Sequence, residues 1–152
     1  MACVARWLLV GLYVVSIVSF TTAHSSGAGY MGELLRKWFP HLSGSQIQAL
    51  VFWMRKAGHV AAYAVLTVLI VYASRGTPRL RKYALGLGVV GAVLVAVVDE
   101  YLQTGLDHRT GAVSDVVIDC VGIGLALVIM AVIGARRGSP NGRDSFAENE
   151  SR

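Results

Sequence analysis

The chain has 152 residues, of which 55% are hydrophobic and only 15% are charged. A soluble domain of this size has too little interior to bury so much apolar surface, so we expect one membrane domain with lipid as its solvent. The net charge of +5 does not indicate nucleic-acid binding, because the Lys and Arg residues stand in short groups beside apolar runs, where they anchor helices.

The first apolar run, residues 7–23, is long enough to be a transmembrane helix. It ends in Thr21-Thr22-Ala23, which would also suit cleavage of a signal peptide. We expect a retained helix, because the rest of the chain is itself apolar enough to lie in the membrane.

The connection to the next span, residues 24–56, mixes aromatic and charged side chains. Such a mixture is typical of the bilayer surface and predicts an interfacial helical segment, which Pro40 is expected to end. Ser45 and Gln48 predict a capping box that opens a helix running into the second span.

Three further spans are predicted at about residues 58–74, 83–103 and 113–135. The fold class is therefore an all-α integral membrane protein with four transmembrane helices. The membrane domain covers residues 1–137, and residues 138–152 are expected to form a disordered cytoplasmic tail. The N-terminus, the second loop and the tail hold 9 Lys and Arg residues against 5 in the other two loops, which predicts cytoplasmic termini.

Acidic residues crowd into the region that joins the third and fourth spans. A carboxylate in hydrocarbon costs several kcal/mol unless it is paired, hydrated or protonated, so intramembrane acids are candidates for a functional site. Five of the nine acidic residues lie here: Asp99, Glu100, Asp107, Asp115 and Asp119.

Helical spacing groups these acids with small residues. Asp99 and Gln103 lie on one face of the third span, and Gly88 and Gly91 lie further along nearly the same face. On the fourth span, Asp115 and Asp119 are followed in the same way by Gly122 and Ala126. We expect these two faces to pack against each other.

Lys56, His59 and Tyr63 share one face of the second span, and all three polar faces could meet at one depth. Arg109 would lie above them, where it could pair with a carboxylate or bind an oxyanion. Acids would then outnumber fixed cations. The excess negative charge could be balanced by protonation of carboxylates, by a bound metal or by a cationic group of a ligand. His59 is a candidate metal ligand, although a hydrogen bond to a neighbouring helix is the commoner role.

These residues resemble the VanZ-like family of small bacterial membrane proteins. The resemblance covers the chain from the first span to about Arg137. It rests on Arg55-Lys56 followed by His59 and Tyr63 before an apolar run, on D-E-x-x-Q at 99–103, on Arg109-Thr-Gly, on D-x-x-x-D at 115–119 and on Gly122. The family is named for a protein linked to teicoplanin resistance. The chain departs from the family pattern at Asp107-His108, where Pro-Gly is frequent, and at Ala62, where an acid is frequent.

The resemblance implies an envelope protein of the inner (cytoplasmic) membrane that lowers glycopeptide susceptibility, through an outward-facing site that binds or modifies an envelope component. The expected partners are membrane lipid and either a lipid-linked precursor or a glycopeptide. Three alternatives remain: an enzyme acting on a lipid head group, a proton-coupled carrier, and a structural protein whose polar residues only fix helix packing. The sequence does not identify a cofactor or an oligomeric state. The predicted site consists of Lys56, His59, Tyr63, Asp99, Glu100, Gln103, Arg109, Asp115 and Asp119.

Overall fold

A computed structural model describes residues 2–23, 27–104 and 113–138 of the protein. These residues are almost entirely helical and contain no strand. The elements are α1 (Ala2–Thr22), α2 (Ala28–Trp38), α3 (Gly44–Arg75), a short 3₁₀ turn (Arg81–Tyr83), α4 (Ala84–Thr104) and α5 (Val113–Gly138). The described residues do not include Arg109 or residues 139–152 of the predicted tail.

Four of these helices are long and apolar enough to cross a membrane. The candidate spans are Ala2–Thr22, Gly44–Arg75, Arg81–Thr104 and Asp115–Arg136. Large apolar side chains such as Leu94, Val98 and Val128 are exposed on their outer surfaces. An apolar exterior of this kind suits lipid, and the predicted fold class of four transmembrane helices is confirmed.

The helix of the second span begins at Gly44, well before residue 58, where the sequence predicts the span itself to start, and its capping box lies two residues upstream of the predicted one. Ser43 is the N-cap, and its hydroxyl accepts a hydrogen bond from the Gln46 backbone N–H. The Gln46 side chain accepts one from the Ser43 N–H at 2.9 Å. Both Ser-x-x-Gln patterns fit the motif, and the earlier one is used because Ser43 already has the extended backbone that an N-cap needs.

Helix α2 is the predicted helical segment between the first two spans. It has no buried residue, exposes Tyr30, Leu34 and Trp38, and carries Arg36 and Lys37 in its last turn. Its mixture of apolar and basic side chains fits a helix that lies on the membrane surface.

The long helix α3 is the centre of the bundle and contacts every other helix. Helices α1 and α4 run antiparallel to it, and α5 runs parallel to it. The Trp7 indole N–H near the start of α1 donates a hydrogen bond to Thr77 just beyond the end of α3, whereas Lys56 in the first half of α3 pairs with Asp115 at the start of α5. Helix α1 therefore begins, and α5 ends, at the same end of the bundle.

Small residues let α4 and α5 approach α3 closely. A Cβ on Gly88 of α4 would lie 2.5 Å from Val71, and a Cβ on Gly122 of α5 would lie 2.3 Å from the carbonyl oxygen of Val60. Both of these glycines therefore face α3. Helices α4 and α5 also contact each other, and the close approach at Gly88 and at Gly122 is to α3.

Candidate functional site

The polar side chains of α3 form a row at one end of the bundle, which we call the polar end. Lys56, His59, Tyr63 and Thr67 recur every three or four residues and so lie on one face of the helix. His59 is 8% exposed, and Tyr63 is fully buried. The row faces α4 and α5, which bring their carboxylates to it.

Asp99 of α4 lies at the centre of the first group of contacts and is 1% exposed. One carboxylate oxygen accepts a hydrogen bond from the Thr21 hydroxyl of α1. The other accepts from the Tyr63 hydroxyl at 3.3 Å and from the Gln103 amide at 3.0 Å. Side chains of α1, α3 and α4 therefore converge on a single buried carboxylate.

Asp119 of α5 forms the second group with His59. Its Oδ1 lies 2.9 Å from His59 Nδ1, and the residue is completely buried. Its Oδ2 is buried and bonds no atom among the described residues. The His59 ring stacks on Tyr63, with ring centroids 6.4 Å apart, so it connects the Asp119 group to the Asp99 group.

Lys56 and Asp115 form the third group of the cluster, about one helical turn before His59 and Asp119 on their helices. They form an ion pair, and their side chains are 19% and 10% exposed respectively. Because the pair is only partly desolvated, it retains more contact with the surroundings than Asp99 or Asp119 does.

The structure thus brings together most of the residues that the sequence singles out. Glu100 is also buried, on the neighbouring position of α4. Arg109 lies outside the described residues, so its predicted position above the cluster stays a prediction. Thr21 is the residue that sequence reasoning missed, and its position at the polar end of the first span was the signal that could have identified it.

The cluster holds more acids than bases. Asp99, Glu100, Asp115 and Asp119 stand against Lys56 and His59. Within the described part of the chain, no three His, Cys, Asp or Glu side chains lie close enough to hold a metal ion together. The arrangement is suited to accept a proton or a cationic group, and the His59–Asp119 pair has the form of a general-base dyad.

A groove of about 440 Å³ lies between α1, α2 and α3 and reaches the cluster. Its inner wall includes the buried side chains of Thr21, His59 and Tyr63. His59 lines it while using Nδ1 for Asp119, so Nε2 is the ring nitrogen left for a molecule in the groove.

Fold and site together define a helical membrane protein with four spans and a buried carboxylate–histidine cluster at one end. No curated protein and no solved structure matches the chain. The family model described as VanZ/LLP1 matches residues 7–134. The chain therefore belongs to the VanZ/LLP1 family, and the predicted family resemblance is confirmed.

Proposed function

We propose that the buried cluster is the functional site of a VanZ-like envelope protein, and that it binds an envelope component in a way that lowers susceptibility to glycopeptides such as teicoplanin. The observation that carries this proposal is the convergence of Asp99 and Asp119, both buried, with polar groups from other helices at one end of the bundle. Family membership supports the envelope role.

The burial of the carboxylates favours a site over simple helix packing. A buried acid costs several kcal/mol, and one hydrogen-bonded pair between helices would be enough to fix their register. The chain places two acids, a histidine and a tyrosine in one connected group instead. Asp119 also keeps one buried oxygen that no described residue uses.

The polar end is proposed to face the outside of the cell. Helix α1 begins and α5 ends at the opposite end, and the segments at that end carry 9 of the Lys and Arg residues against 5 for the rest. The site would then be open to envelope components in the outer leaflet of the inner membrane.

The test is teicoplanin and vancomycin susceptibility of a glycopeptide-sensitive bacterial host that expresses wild type, Asp99→Asn, Asp115→Asn or Arg109→Ala. Glu33→Gln is the matched control, because Glu33 is an exposed acid on α2. We expect wild type and the control to protect, and the three variants of predicted site residues to match the empty host at equal membrane levels. Equal protection by all variants would refute the proposal.

The His59–Asp119 dyad favours a second candidate, a membrane enzyme that acts on a lipid head group. His59 Nε2 would serve as the general base in the groove, and Arg109 would hold a phosphate. The discriminating measurement is the lipid composition of cells that express wild type or His59→Gln. A head-group product that appears only with wild type supports the enzyme, and identical lipid profiles exclude it.

A further inference from the structure

The groove between α1, α2 and α3 has a buried inner wall and an exposed rim. Ile17, Thr21 and Tyr63 are buried at its base, whereas Ser16 and Gly58 are exposed at its edges. The groove therefore opens on the surface that faces lipid. Tyr13 closes its deep end by donating a hydrogen bond to the Ala62 carbonyl at 3.3 Å.

The length of the groove matches one leaflet of a bilayer. On α3 it extends from Met54 to Tyr63, and nine residues of α-helix rise about 14 Å. The hydrocarbon core of a bilayer is about 30 Å thick, so each leaflet contributes about half of that. A groove of this length, open to lipid and mostly apolar, suits one acyl chain.

The surface end of the groove carries a cation. Arg55 lines the groove one turn of helix before His59, and it also lines the cleft between α2 and α3. Its Nε is buried and bonds no acceptor in the part of the chain that the structure describes. A guanidinium with an unused donor is suited to bind a phosphate oxygen.

We propose that this groove binds an anionic phospholipid, with one acyl chain between α1 and α3 and its phosphate on Arg55. The charge fits this orientation, since Arg55 lines the groove near its Met54 end, whereas Ile17 and Ala62 provide apolar lining elsewhere in it. This placement rests on the proposed function in one respect: a lipid so bound would lie against His59 and would be the envelope component that the cluster meets.

Gly58 offers a way to fill the groove without disturbing the bundle. It lines the groove, and a Cβ added there meets nothing within 4 Å. Gly58→Leu should therefore fold and occupy the space of the lipid chain. Gly86→Leu is the matched control, because Gly86 is exposed on α4, lies away from the groove and also has open space at its Cβ.

The test uses the full-length protein in nanodiscs of phosphatidylcholine that contain a trace of phosphatidylglycerol with a photoactivatable group in its acyl chain. We expect labelling to concentrate on residues 13–21 and 54–63, to be competed by unlabelled phosphatidylglycerol, and to be lost in Gly58→Leu but not in Gly86→Leu. Arg55→Gln should reduce labelling to that given by a phosphatidylcholine probe. Ser16→Phe fills the groove from α1 and replaces Gly58→Leu if that variant does not fold.

Labelling spread evenly over the four spans would overturn the inference, as would equal labelling by the two head groups or unchanged labelling in both filled variants. The labelling experiment involves no drug, so a failure of the groove proposal can be distinguished from a failure of the proposed function. Loss of protection in Asp99→Asn without groove labelling would refute the groove alone. Groove labelling together with full protection by Asp99→Asn would refute the proposed function alone.

Discussion

The close approach of α5 to α3 at Gly122 gives a sharp prediction about stability. A Cβ at this position would lie 2.3 Å from the Val60 carbonyl oxygen and 3.0 Å from its carbonyl carbon. These are backbone atoms, so no side chain can rotate away. Ordinary contact begins near 3.4 Å, so Gly122→Ala must separate the two helices locally by about 1 Å. Overpacking of this kind costs about 1–3 kcal/mol.

Gly124→Ala is the matched control, because Gly124 lies on the same helix and its Cβ would meet nothing within 4 Å. The gain in helix propensity, up to about 1 kcal/mol, is common to both variants and cancels in the comparison. We expect the free energy of unfolding of Gly122→Ala, measured by denaturant titration in mixed micelles, to be about 1–3 kcal/mol below that of Gly124→Ala. Equal stabilities would refute the close packing of α3 and α5.

Three further predictions concern hydrogen bonds and charge. Thr21→Val removes one donor to Asp99 and should lower the free energy of unfolding by about 0.6 kcal/mol, a typical value between membrane helices; a stability equal to wild type would argue against the contact. In a double-mutant cycle, Lys56→Gln and Asp115→Asn should show a coupling energy of about 0.5–3 kcal/mol in unfolding titrations, whereas additive effects would mean that the ion pair does not form. Thr77→Val removes the acceptor of the Trp7 indole N–H and should change Trp fluorescence and destabilise α1 docking by about 1 kcal/mol; an unchanged emission spectrum would contradict that anchor.

The number and type of the spans could be predicted from the sequence because each depends on local composition. A run of about 20 apolar residues is long enough to cross the bilayer whatever its neighbours are. The helix face shared by Lys56, His59 and Tyr63 could also be predicted, because helical periodicity alone determines which residues share a face. The capping box was placed two residues too late because two overlapping Ser-x-x-Gln patterns compete, and only the backbone at Ser43 decides between them.

The pairing of helices could not be predicted in the same way. Periodicity shows that Gly88 and Gly122 each lie on a small-residue face, but it does not show which helix that face meets. Both meet α3. Thr21 was missed for a related reason, because a single hydroxyl at the end of an apolar run gains a role only when α1 packs beside Asp99. The groove and its cation, Arg55, also arise from this tertiary arrangement.

The central claim is that the buried cluster is a functional site and does more than hold the helices together. Asp119→Asn tests it most directly, because Asn has the same shape and retains an oxygen that can bond His59. The measurement is glycopeptide susceptibility together with the free energy of unfolding of the same variant. The account predicts that protection falls to that of the empty host while the protein stays folded and inserted. Protection that follows only the loss of stability, or that survives the substitution unchanged, would contradict it.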